Sequence, residues 1–335
     1  MDEPARVLVV KLSSLGDILH TLPALTDARR ALPGVRFDWV IEEGFLQVPR
    51  WHPAVEQVIP VAFRRWRKRP QKELFGQEWR AARRAIGRQQ YDCVIDAQGL
   101  IKSAIVTRLA RGRRCGQDRR SAREGLAALA YDERFFVPRD LHAIERTRRL
   151  FAAALAYRLP AGEPEAGIDT RFPGDAGAVR PGVWLLHGTA REEKTWPEAH
   201  WVSLAQRILR AGYGVVLAAG NEEEEARAQR IAHACRQNTG GDNVQLLPHA
   251  SLDQLAAYLS TAVAAVAVDT GLGHLAAALN IPAVSLYGPT DPALVGTCGM
   301  KQSHLCAPGA DMSGIASGVV WNELARWLPR AQQSG

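Results

Sequence analysis

The chain has 335 residues, 47% hydrophobic and 23% charged, with a formal net charge of +7. That length predicts two domains of about 150 residues each, and no apolar run approaches the roughly 20 residues that span a bilayer. The N-terminus, MDEPARVLVV, is acidic and enters an apolar stretch directly, which excludes a signal-peptide reading and predicts a cytoplasmic protein.

In chain order, the apolar run Val7–Val10 predicts a buried parallel strand. Lys11 to Gly16 form a polar loop. Behind it, Ile18, Leu19, Leu22 and Leu25 stand at helical spacing and predict one amphipathic helix. Lys11, Ser13, Ser14 and Asp17 therefore sit at the carboxyl end of a first strand, where open α/β sheets bind ligands. A carboxylate at that place is either a helix cap or a catalytic base. Further strands are predicted at Phe37–Ile41 and Cys93–Ile95, and helices at Glu73–Gln89 and Leu100–Arg111. The segment Phe63–Lys72, FRRWRKRPQK, is strongly basic and has Trp51, Trp66 and Trp79 nearby. It predicts an anionic partner (phosphorylated lipid, a membrane surface or nucleic acid) or, more blandly, a solvated Arg-rich face.

Residues 161–181 are rich in Gly, Pro and acidic side chains and read as a linker. A second alternating series follows. Strands are predicted at Val183–Leu186, Val215–Ala218, Val244–Leu246, Ala264–Val268 and Ala283–Leu286. Helices fall at Pro197–Ala211, Glu222–Arg236, Leu252–Leu259 and Gly271–Leu279. The fold class is α/β, with parallel sheets covered by helices on both faces. Domains are placed at 1–165 and 166–317. Residues 318–335 are a C-terminal helix (Gly318–Leu328) and tail able to pack on either, and a cleft is expected between the strand ends.

Four loops after second-half strands carry polar clusters: HGTAREEK, with His187, Thr189 and Lys194; AAGNEEEE; DTGLGH, with Asp269 and His274; and YGPTDP, with Thr290 and Asp291. Their expected clustering on one sheet edge is more specific than any one of them. Strand–DTGLGH–helix aims backbone N–H groups at an anion, and Gly271 and Gly273 would admit a phosphate closely. Lys194 and Thr189 add a charge and a hydroxyl for a diphosphate, and a glutamate of the second loop could accept from ribose hydroxyls. Asp269 reads equally as an N-cap, His274 as a core or cap histidine, and Glu222–Glu225 as a solvated first helical turn. The GxGxxA match at Gly271–Ala276 falls near the end of its domain and lacks a strand-ending acid, so a dinucleotide site is discounted. No GxxxxGK[ST] and no Asp-x-Asp occur. The five cysteines include no CxxC pair, which argues against a zinc site.

These residues resemble the ADP-heptose:lipopolysaccharide heptosyltransferases of glycosyltransferase family 9. The carriers are KLSSLGDILHTLPALTDA (Lys11–Ala28), FDWVIEEGF (Phe37–Phe45), RRWRK (Arg64–Lys68), IDAQGLIKSA (Ile95–Ala104), HAIERTR (His142–Arg148), KTWPEAHW (Lys194–Trp201), VDTGLGHLAAAL (Val268–Leu279) and YGPTDP (Tyr287–Pro292). SSLGDILHTLPAL with RRWRK points to the member that adds the first heptose.

The resemblance implies the GT-B architecture, with two Rossmann-like domains facing a central cleft. It also implies inverting, metal-independent transfer of heptose from ADP-heptose to a Kdo hydroxyl of Kdo2-lipid A, without a cofactor. Asp17 would be the general base, with Lys11 beside it. Thr189, Ala190, Lys194, Glu224, Asp269, Thr270, Gly271, Leu272 and His274 would bind the donor. Ser14, Arg64, Arg65, Arg67, Lys68, Lys102, Arg123 and Arg146 would meet the acidic acceptor. A peripheral place on the cytoplasmic face of the inner membrane is implied too. The pattern departs at Ala190, where relatives carry a second Thr, and at Asn221-Glu222-Glu223, where they carry an Ala-Pro-His type of segment. The alternatives are a heptosyltransferase adding a later core heptose, a basic nucleic-acid-binding protein and a nicotinamide-dependent dehydrogenase. The first predicts turnover only with a heptosylated acceptor, the second steeply salt-dependent binding of single strands, and the third tight NADH binding.

Overall fold

The computed structural model describes residues 5–68, 76–172, 179–239 and 243–329. The chain divides into two units, Met1–Asp169 and Thr170–Gly335. Each is built on a six-stranded, wholly parallel sheet.

In the first unit the strands are β1 (Arg6–Val10), β2 (Arg36–Glu42), β3 (Val55–Val61), β4 (Gln90–Asp96), β5 (Arg111–Gln117) and β6 (Glu133–Phe135), in the order β3-β2-β1-β4-β5-β6. Val7 to Val10 are fully buried between β2 and β4, as a β-branched apolar run requires. Three strands have no apolar-run signal. β3 carries Pro60 and is tolerated because it lies at the sheet edge. β5, RGRRCGQ, and the short β6 beside it are polar, and the arginines of β5 pair with acidic residues at and just before the start of β6. Arg113 meets Glu133 at 2.6 Å and Arg114 meets Asp132 at 2.7 Å.

The single helix expected through Ile18–Leu25 is two helices, Leu15–Leu19 and Leu22–Ala31. Pro23 is the reason: in a continuous helix its ring would meet the Leu19 carbonyl, whereas in a new first turn it is harmless. The helix expected at Glu73–Gln89 spans Gln77–Ile86, and residues 73–75 lie outside the described ones. Helix Ala143–Ala154 packs on helix Leu22–Ala31 through a buried ion pair, Arg148 Nε to Asp27 Oδ2 at 2.6 Å.

The second unit runs β7 (Val183–Leu186), β8 (Val215–Leu217), β9 (Val244–Leu246), β10 (Ala264–Val268), β11 (Ala283–Tyr287) and β12 (Gln302–Cys306), in the order β12-β11-β10-β7-β8-β9. Renumbered within its unit this is again 3-2-1-4-5-6, the Rossmann order. Its core gathers Trp196 and Trp201 with β7, β8, β10 and β11 side chains. The C-terminal helix, Ser317–Ala325, packs here: Val320 and Leu324 enter this core and Ser317 Oγ meets Ser203 Oγ at 2.9 Å. Of the expected linker, Asp169 is tied to the first unit by its N–H to Trp51 O at 2.8 Å, and residues 173–178 lie outside the described ones. Among the described residues no helix is long and apolar enough to cross a membrane.

Candidate active site

The strand order reverses between β1 and β4 in the first unit, and the loop after β1 lies at that switch point. It is held from below. Gln98 Oε1 accepts from Leu12 N at 2.9 Å and Ser13 N at 3.3 Å, and Trp39 Nε1 donates to Lys11 O at 2.9 Å. Gln98 is placed by buried Asp96, whose Oδ1 accepts from the backbone of Gln98 and Gly99 at 2.8 and 3.0 Å. Asp96 Oδ2 in turn accepts from Tyr131 OH at 2.8 Å. Gly116 makes room for that ring, since a Cβ there would lie 2.3 Å from Tyr131.

Lys11 and Asp17 come together on this platform. Lys11 Nζ donates to Ala97 O at 3.0 Å and stands 3.8 Å from Asp17 Oδ1. Asp17 Oδ2 accepts from Ser14 N at 3.1 Å and Ser14 Oγ at 2.9 Å, so Asp17 does cap its own helix. Its second oxygen faces cations, Lys11 and Arg123 Nη1, each at 3.8 Å. Burial raises the Asp17 pKa, but Lys11, Arg123 and the two Ser14 bonds outweigh it and hold the carboxyl below its ordinary value. Burial pulls the Lys11 pKa down, against the support of Asp17.

The other expected acceptor residues divide. Arg123 and Arg146 belong to this cluster. Arg146 Nη2 donates to Ser121 O at 2.7 Å and Gln117 Oε1 at 3.2 Å, and burial with Arg139 and Arg123 nearby lowers its pKa. Arg64, Arg65 and Lys68 line a pocket of about 320 Å³ with Glu42, Glu43, Gly44 and Phe45. Arg64 stacks over Phe45 at 5.3 Å, and Arg65 is engaged by Glu43 at 3.1 Å and Glu78 at 2.8 Å. Glu42 is buried, which raises its pKa against the pull of Lys102 and Arg64. Arg67 is exposed, and residues 69–72 of the basic segment lie outside the described ones.

In the second unit β11, β10, β7 and β8 are consecutive neighbours, so their four loops share one sheet edge, as expected. The switch point falls between β7 and β10. There Lys194 Nζ donates to Asp269 Oδ2 at 2.5 Å. Burial raises the Asp269 pKa, but bonds from Lys194 and Thr290, with His274 nearby, lower it further. Asp269 is thus paired with Lys194, while the N-cap residue of helix Gly271–Ala278 is Thr270. Gly273 has a packing role as well: a Cβ there would lie 3.0 Å from Ala267 Cβ, so this glycine lets the helix pack closely on β10.

Among the four glutamates three are exposed and Glu224 is half-buried. Its Oε2 accepts from Gly220 N at 2.7 Å, and a Cβ on Gly188 would lie 2.5 Å from its carboxyl carbon. Thr189 is half-buried and Ala190 exposed on the same loop. Sequence reasoning did not single out Asp96, Gln98 or Tyr131, and it placed Gly188 in the HGTAREEK loop without a role of its own. Asp96 and Gln98 stand in IDAQGL directly after a strand, and that placement was the available signal.

Residues 79–313 match the model of glycosyltransferase family 9 (heptosyltransferase). Lipopolysaccharide heptosyltransferase 1 of Pseudomonas aeruginosa is 50% identical over 309 residues, 90% of this chain and 85% of that protein. The chain belongs to glycosyltransferase family 9.

It is a glycosyltransferase of GT-B architecture. The structure of E. coli heptosyltransferase WaaC with ADP superimposes with a TM-score of 0.89 at 46% identity, covering 96% of this chain and 99% of that one. A second WaaC structure, with ADP-2-deoxy-2-fluoro heptose, gives 0.86 at 45% identity over the same shares. By contrast, lipopolysaccharide heptosyltransferase 2 of Escherichia coli K12 aligns over 30% of this chain and 28% of its own length, at 36% identity.

Proposed function

We propose that this enzyme transfers L-glycero-D-manno-heptose from ADP-heptose to a Kdo hydroxyl of Kdo2-lipid A, inverting the anomeric carbon. The observation that carries this reading is the sequence likeness to first heptosyltransferases over nearly the whole chain, against a sequence match to a second one confined to 30% of it. The WaaC structures with ADP and with a fluorinated ADP-heptose support the donor.

In this reading the acceptor hydroxyl approaches Asp17 Oδ1, the carboxylate oxygen that does not cap the helix. As that hydroxyl oxygen bonds to the anomeric carbon, its proton passes to Asp17 and the bond from carbon to the diphosphate oxygen breaks. The electron pair leaves with ADP. An ionised carboxylate is ready to accept a proton at neutral pH, and its low basicity suits an oxocarbenium-like transition state, in which the attacking hydroxyl becomes acidic late. Lys11 and Arg123 keep Asp17 ionised and Arg146 adds positive charge for an acidic acceptor. Lys194 and the backbone of Thr270, Gly271 and Leu272 at the helix N-terminus would meet the charge gathering on the diphosphate. Asp269 would then turn from Lys194 to a heptose hydroxyl, and Glu224 would accept from the ribose.

Purified enzyme supplied with ADP-heptose tests the acceptor. Turnover with Kdo2-lipid A is expected; turnover confined to a heptosylated acceptor would assign the enzyme to a later step. The reading uses no metal, so a chelator is expected to leave the rate unchanged. A rate lost to chelation and restored by a divalent cation would overturn that part.

A further inference from the structure

We propose that the outer faces of helix Ile101–Leu109 and the 3-10 segment Gly125–Ala130 dock the enzyme on an anionic lipid surface. These two elements pack together through Ala104, Ala127, Ala128 and Ala130. Small residues on the inner sides leave the large ones outside. Ile101 and Ile105, one turn apart, are 45% and 51% exposed; Leu126 and Leu129 are 60% and 73% exposed. The outward stripe of the helix, Ile101, Ile105 and Arg108, is thus aliphatic where a surface helix normally shows polar residues. Four large aliphatic side chains exposed on two elements that pack together are more than the single scattered apolar residues of an ordinary surface.

The charge around the patch states what covers it. Lys102 follows Ile101, Arg108 ends the stripe, Arg123 precedes the segment, and the Arg119 side chain lies against Gly125. The acidic side chains close by are engaged within the protein. Glu124 accepts from Ile101 N at 2.6 Å, Asp118 accepts from the backbone of Arg120 and Ser121, and Asp132 pairs with Arg114. An aliphatic face rimmed by cations matches the acyl boundary and headgroups of an anionic bilayer, each basic side chain adding to the attraction. The face has no aromatic ring to stack a base. A twofold pairing of two copies would bring like charges together.

The placement gives the surface a purpose, on the reading that the acceptor is lipid-borne. Arg123, three residues before Leu126, reaches 3.8 Å from Asp17 Oδ1. Docking through this face would hold the acceptor half-site at the membrane.

The test compares the wild-type full chain with an Ile105→Asn, Leu126→Asn, Leu129→Asn variant. All three positions are exposed and outside the catalytic groups, so an unchanged circular dichroism spectrum and melting temperature are expected. With phosphatidylethanolamine–phosphatidylglycerol vesicles lacking any acceptor, the variant should partition about tenfold less than wild type. Wild type should bind phosphatidylcholine vesicles more weakly, and added salt should weaken but not abolish its binding to the anionic ones. Turnover of an acylated acceptor in vesicles should fall in the variant, while turnover of a soluble, deacylated acceptor stays at the wild-type rate. Equal partitioning of variant and wild type would overturn the proposal, as would a wild-type dimer that the variant dissociates without change in vesicle binding. A wild type that turns over neither acceptor would instead overturn the functional reading and leave the vesicle comparison standing.

Discussion

Lys11 Nζ and Asp17 Oδ1 face each other at 3.8 Å, too far for a hydrogen bond, while the ammonium donates to Ala97 O. The carboxylate therefore has cationic support without its second oxygen being consumed. The first oxygen is spent on Ser14, which fixes the side chain at the start of its helix. Capping and catalysis, alternatives in the sequence, are compatible here because the two oxygens are divided between them.

The platform beneath this pair should matter as much as the pair. Gln98→Ala removes the acceptor of two backbone N–H groups in the Lys11–Ser14 loop. A loss of about 1–3 kcal/mol in chemical denaturation is expected, from buried donors left unmade. Because the loop carries Lys11 and leads into the helix that holds Asp17, kcat should fall with little change in the KM for the donor. Tyr131→Phe, which takes the hydrogen bond from Asp96, should act in the same direction more weakly. Wild-type kcat in Gln98→Ala would show that the loop holds its shape unaided.

At the donor half-site, Gly188→Ala places a methyl where the Glu224 carboxylate now lies. The flexible side chain can swing away, so stability should change little. The Gly220 bond is lost with it, and affinity for ADP-heptose should fall roughly tenfold, about one charge-assisted hydrogen bond. Calorimetric titration of the donor checks this. Undiminished affinity would remove Glu224 from the donor site.

Two buried histidines predict acid sensitivity. Burial, with Arg29 near His52 and Arg227 near His187, lowers both from 6.5 to about 4. His52 is fixed as neutral by its bonds: Nδ1 accepts from Ala54 N at 3.2 Å, which leaves Nε2 to donate to Thr26 Oγ1. Protons then bind the unfolded chain more readily than the folded one between pH 6.5 and 4. Stability is fully present above that window and falls as pH drops through it, by up to about 3 kcal/mol per histidine. Denaturation series across the window, with His187→Phe for comparison, measure the slope. A stability independent of pH there would contradict the assignment of both rings as neutral.

Legibility in the sequence followed burial. The apolar runs of β1, β7, β10 and β11 are strands buried on both faces, and their loops carry Asp17, Lys194 and Asp269 where the pattern placed them. β5 was illegible because its arginines pair with Asp132 and Glu133 beyond the strand, and β3 because an edge position tolerates Pro60. The helix break at Pro23 was available from the residue itself. The hidden part of the site is the support: Tyr131, Asp96 and Gln98 are joined by hydrogen bonds over 35 positions of chain, which no local spacing reveals. Glu224 is picked from four identical neighbours by the resemblance alone, and the structure adds its bond to Gly220 N.

The most direct test is acceptor-dependent ADP release by wild type and Asp17→Asn, with ADP-heptose and Kdo2-lipid A, and donor binding measured in both. The amide keeps the shape of the cap but cannot take the proton. The account predicts turnover in wild type, a fall of about a hundred- to ten-thousand-fold in the variant, and donor affinity unchanged. Near wild-type release by Asp17→Asn would make Asp17 a helix cap alone and contradict its assignment as the general base.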